Sequence, residues 1–129
     1  MGLLKLAAAL AFLALHCGAA RAAPCIAEGV FGQPAQGRLT SGNFSDADGK
    51  PETALILILS APACLSASSP ENAVASARRI HIYATDGAIH KKLRSYVGKH
   101  VEVAGLPFAA HTAHHHAPIV MDVSSVVAR

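Results

Sequence analysis

Four imidazoles fall within six residues in the stretch His111-Thr112-Ala113-His114-His115-His116. Neutral imidazole ligates zinc, copper and nickel, and three such groups fill most of a tetrahedral site. In an extended segment His114 and His116 project to one side and His115 to the other. In a helical turn His111 lies beneath His114 and His115, at spacings of three and four. Either conformation gathers two or three nitrogens, and His81 or Asp122 can add a donor from a neighbouring strand. His111, His114, His115 and His116 are therefore the candidate metal ligands, with zinc or copper as the expected ion and Phe108 and Thr112 as further residues of the binding loop. Two other readings stay open: a structural one, in which the imidazoles hydrogen-bond the loop to its scaffold, and an acid-responsive one. Histidine titrates at about pH 6.5, and clustered imidazolium groups repel one another.

The loop needs a scaffold on both sides. Upstream, His100-Val101-Glu102-Val103-Ala104 alternates as a strand, and Ile119 to Val127 supplies another with Ile119, Met121 and Val123 inward. Before them, Asp86 caps a helix whose Ile89, Leu93, Tyr96 and Val97 share one face, while His90, Lys91, Lys92 and Arg94 face water and Gly98 ends it. Arg79 to Tyr83 reads as a half-buried strand with Ile80 and Ile82 inward. His81 and His100 lie opposite the core and His90 on the polar helix face, where a surface role is expected.

Ala54-Leu55-Ile56-Leu57-Ile58-Leu59 is an unbroken apolar run, expected as a central strand buried on both faces and closed by Ser60-Ala61-Pro62. Asp46-Ala47-Asp48-Gly49-Lys50-Pro51 is turn chemistry, without the ligand series of a calcium loop. Leu39 and Phe44 fall out of phase, and a bulge at Gly42 would reconcile them. Ile26 to Pro34 reads as an extended arm or ragged first strand, and Ser66 to Ala77 as a loop with a helical turn from Glu71. The resulting series (strand, strand, strand, helix, strand, strand) predicts a mainly β fold. It is that of the five-stranded OB-type barrel with its helix between strands 3 and 4, ahead of a small α+β sandwich. The histidine loop joins the last two strands, one of that barrel's usual binding loops.

Met1 to Ala22 has the make-up of a secretory signal peptide: Lys5, an apolar stretch from Leu6 to Leu15, and the cleavage pattern Ala20-Arg21-Ala22. The predicted products are a leader, 1–22, and one domain, 23–129, periplasmic or secreted, with no transmembrane span. His16 before Cys17 argues against a lipoprotein signal, which needs a small residue there. Cys25 and Cys64 remain, and in an exported chain two cysteines predict one disulfide.

Three stretches resemble a bacterial exported family known as domain of unknown function 4431. They are Leu57 to Cys64, a strand ending in Pro-x-Cys; Leu93 to Gly105, with Gly-Lys-x-Val-x-Val-x-Gly; and Phe108 to Val123, with Phe-x-Ala-x-Thr-x-His-His-His. Phe108, Ala110, His111, Thr112, His114, His115 and His116 occupy the matching positions. Ala109 departs from the pattern, where a histidine is common, as does Pro107, which removes a backbone donor within a strand. The resemblance implies a fold and a site and carries no activity.

Loss of Lys5 and Arg21 leaves nine basic and eight acidic residues, a formal charge of +1. A near-neutral chain without Trp, whose few aromatics do not interleave with a basic stripe, is not built for nucleic acid. With the cysteines paired there is no thiol nucleophile, and no serine motif or carboxylate pair stands out, so an enzyme is not expected. The expectation is an envelope binding module that takes a transition metal in its loop. The alternative is a module that binds an envelope protein or glycan and whose histidines are structural or pH-responsive.

Overall fold

The structure is a computed structural model, and it describes residues 24–129. The leader expected at 1–22, with Cys17, lies outside the described residues. Six strands follow in order: β1 (Ile26–Ala27), β2 (Gln33–Ser45), β3 (Pro51–Ser66), β4 (Val74–Tyr83), β5 (His100–Ala109) and β6 (Ile119–Ala128). A short 3₁₀ turn, Pro70–Asn72, precedes β4, and one helix, α1 (Gly87–Ser95), lies between β4 and β5.

Strands β2 to β6 close on themselves. β2 pairs antiparallel with β3 and with β5, β3 with β4, and β5 with β6, while β4 and β6 run parallel and complete the ring. Closure removes free sheet edges. This is the OB-type barrel that the order of elements predicts, with the helix between its third and fourth strands. Its interior holds Leu39, Leu57, Ile80, Val101, Val103, Ile119, Met121 and Val123, all at 2% exposure or less.

Helix α1 begins where Asp86 accepts hydrogen bonds from the backbone of Ala88 and Ile89. It buries Leu93 completely, with Ile89 and Tyr96 packed on the core. Its last residue is Ser95, and Val97, expected on the apolar face, is 39% exposed because it lies beyond that end. Gly98 takes a positive φ and donates to the Leu39 carbonyl, which turns the chain back to the barrel.

The expected arm or ragged first strand is a two-residue strand and a turn, after which β2 already begins at Gln33. Three local expectations are corrected. The apolar run does not stop at Ser60-Ala61-Pro62, because β3 continues to Ser66 with a register shift after Ile58. The helical turn from Glu71 to Ala77 is instead a 3₁₀ turn followed by β4, which starts at Val74. No bulge forms at Gly42: β2 and β3 stay in register from Gly37 to Ser45, so Leu39 points inward and Phe44 outward.

Pro107 sits within β5 opposite Met121. Pairing of β2 with β5 ends at Gly105, and the Pro107 carbonyl accepts from Gly29 on that free side. The missing donor therefore leaves no ladder partner unmatched. Cys25 and Cys64 form the disulfide, which ties β1 to the end of β3 where Ile26 pairs with Leu65.

Candidate functional site

Residues 110–118 join β5 to β6 and fold down onto the outside of the barrel. The register defines that outer face. Leu39, Leu57 and Ile80 point inward, so their neighbours form outward rows: Thr40–Ile56–His81, then Arg38–Ile58–Arg79. Nearer the β2–β3 hairpin lie the rows Gly42–Ala54 and Phe44–Glu52.

Glu52 is the anchor. Its carboxylate accepts from His114 Nδ1 at 2.8 Å through one oxygen and from His116 Nε2 through the other. The His116 ring lies on Phe44, with centroids 4.3 Å apart and planes 7° from parallel, and also stacks with His81 at 5.7 Å. Gly42 makes room for this arrangement, since a Cβ there would lie 2.6 Å from the Phe44 ring. The His116 amide donates to His81 Nδ1 at 3.1 Å, which requires that nitrogen to be unprotonated.

The rest of the loop is organised by His115. Its Nδ1 accepts from the amides of His111 at 3.0 Å and Thr112 at 3.3 Å. The rings of His111 and His115 meet edge to face at 4.7 Å, and both approach Phe108. Thr112 Oγ1 accepts from the His114 amide at 3.3 Å, and His111 Nδ1 bonds the Ala109 carbonyl at 3.1 Å. Ala54, Ile56, Ala117 and Val120 are each 9% exposed or less yet stand apart from the barrel core. Together with the stacked rings they form a second, smaller apolar layer between loop and barrel.

The electrostatics follow from these contacts. The hydrogen bonds from His114 and His116 hold the Glu52 carboxyl below its usual range, and Glu52 in turn raises His114. His81 is lowered by burial and then by the neighbouring His116 and His115. His115 is lowered for the same first reason, with His111 next. Each shift favours the protonation state that its hydrogen bonds require.

As a metal set the four histidines do not assemble. Among the described residues no group of three His, Cys, Asp or Glu side chains is placed to hold a metal ion. His115 and His111 use a ring nitrogen on loop backbone, whereas His114 and His116 turn toward Glu52. Phe108 and Thr112 lie in the loop as expected. Asp122 bonds Thr85 instead of the loop. Glu52 and Phe44, on strands remote in sequence, were not among the expected site residues, whereas His81, expected on the surface or as a further donor beside the loop, lies against His116. The spacing of Gly42 and Phe44 was the available signal.

The loop divides the barrel's outer face. Between Glu52 and His81 it is covered, and beyond Ile56 it is open: Ile58 is 39% exposed, flanked by exposed Arg38 and Arg79 on the adjoining strands. The ion pairs among the described residues are His114–Glu52, His116–Glu52 and Arg129–Glu102, so neither arginine is paired.

Fold and site define a small OB-type barrel with a histidine-aromatic loop fastened over part of its face. Residues 79–127, from the end of β4 through the histidine loop and β6, match the family described as Domain of unknown function (DUF4431). No curated protein and no solved structure matches the chain.

Proposed function

We propose that this chain is an exported interaction module of the cell envelope, which presents the open half of its barrel face to an acidic protein or glycan. The observation that carries the proposal is the row Arg38–Ile58–Arg79. Two arginines without an ion pair among the described residues, on backbone positions two strand spacings or roughly 10 Å apart, flank an exposed aliphatic side chain. An apolar centre rimmed by arginine suits an interface, and arginine forms bidentate pairs with carboxylates. The covered half acts as a wall that orients the partner.

Binding of the purified protein to immobilised polyglutamate and to a polyuronate tests this. The expected result is salt-sensitive binding to one of them, weakened at least about tenfold in the Arg38→Ala/Arg79→Ala double variant. Binding that the double variant retains in full would place the interface elsewhere.

Zinc or copper is a second reading, favoured by the convergence of His114 and His116 on one carboxylate. Glu52, His114 and His116 would become the ligands only after the loop rearranges, since among the described residues no group of three is placed to hold an ion. Calorimetric titration supports it if binding is stoichiometric and lost in Glu52→Ala. Weak or superstoichiometric binding removes it.

A further inference from the structure

The closed barrel leaves a cleft of about 380 Å³ beside helix α1, away from the histidine loop. The β2–β3 ladder explains it. Inward positions of this pair run Leu39–Leu57, then Ser41–Leu55, then Asn43–Thr53, so the inner face turns polar where the hairpin extends past the core. On α1 the stripe Ile89, Leu93, Tyr96 packs on the barrel, which sets the adjoining stripe His90, Arg94, Val97 over these polar positions. The cleft is thus lined by Ser41, Thr53, His90 and Arg94, with Ala54, Leu55 and Val97 as its apolar part.

No carboxylate lines the cleft, and Arg94 makes no ion pair among the described residues. A guanidinium offers a planar fork of donors, the Ser41 hydroxyl offers a further one, and the aliphatic side chains favour an apolar body, while the Thr53 hydroxyl donates to Asn43 Oδ1 at 3.5 Å. Barrel mouths are a common place for such small-molecule sites. From this convergence we propose that the cleft binds a small organic monocarboxylate with a short branched or linear aliphatic tail. The carboxylate pairs with Arg94 and accepts from Ser41, and the tail rests on Leu55 and Val97. This site is separate from the barrel face and does not depend on the function proposed for it.

The test is an amide chemical-shift titration of the purified protein with 4-methylpentanoate, beside the neutral 4-methylpentanamide and inorganic phosphate. The expected result is saturable shifts centred on residues 41, 53, 55, 90, 94 and 97, with the carboxylate at least about tenfold tighter than the amide. Arg94→Ala, an exposed position, should weaken it to a similar degree, and Ser41→Ala by a smaller factor. Equal binding of carboxylate and amide would overturn the proposal, as would shifts centred elsewhere or an unaffected Arg94→Ala variant. Phosphate binding as tightly as the carboxylate would overturn the assigned ligand class, because the aliphatic part would then contribute nothing.

Discussion

The ring of His116 lies flat on Phe44, 4.3 Å between centroids, although the two residues are 72 positions apart in the chain. The contact joins the loop after β5 to the hairpin between β2 and β3, and it seals the inner layer of Ala54, Ile56, Ala117 and Val120. Replacing Phe44 by Ala should therefore open the loop and leave the barrel folded. Near-native thermal unfolding with a sharp rise in proteolytic cleavage within residues 110–118 is the expected outcome, read by limited proteolysis and mass spectrometry.

The pH dependence of the loop follows from the signs of the shifts. His114 is raised by Glu52, so its contribution is complete below the ordinary histidine value and is lost as pH rises through the raised one. His81 and His115 are lowered, so theirs is complete above the ordinary value and is lost as pH falls through the lowered ones. Glu52 is lowered as well, and its contribution fails only at more acid pH, in the carboxylate range. Order in the loop should peak at about pH 6.5 and decline on both sides. Backbone relaxation of residues 110–118 across this range checks it, and His114→Gln should abolish the alkaline decline alone.

The disulfide closes 39 residues of sequence separation between Cys25 and Cys64. In the loop-entropy treatment its removal costs about 4 kcal/mol. A Cys25→Ser/Cys64→Ser double variant should lose stability of that order in urea unfolding. Both thiols should resist alkylation in the unreduced protein.

Gly105 ends the Gly-Lys-x-Val-x-Val-x-Gly segment and lies at the register shift between β5 and β6. A Cβ there would fall 2.2 Å from the Asp122 carbonyl oxygen, so the two backbones approach too closely for any side chain. Gly105→Ala should destabilise the fold by about 1–3 kcal/mol. An unchanged urea midpoint would contradict the β5–β6 register.

The barrel was legible because its signals are local. Alternation in His100 to Ala104, the capped helix after Asp86 and the apolar run of β3 each declare themselves within a short window, and their order names the topology. The end of β3 was less legible, since Pro62 reads as a stop when only the sequence is in view. Pro107 is tolerated because its neighbour β2 begins only at Gln33, opposite Gly105. Pairing of Glu52 with His114 and His116 spans more than 60 residues, and no periodicity within either segment carries it. The same holds for Ile56: its burial reads as that of a central strand, yet its outer face is covered by the histidine loop.

The central claim is that Glu52 fastens loop 110–118 over half of the barrel face. Amide hydrogen exchange at pH 6.5, comparing the native chain with Glu52→Ala, tests it most directly. The His111 and His116 amides should be protected in the native chain, because they donate to ring nitrogens at 3.0 and 3.1 Å. In Glu52→Ala both should exchange faster while the β3 and β5 core amides keep their protection. Fast exchange of these two amides in the native chain, or equal protection in the variant, would contradict it.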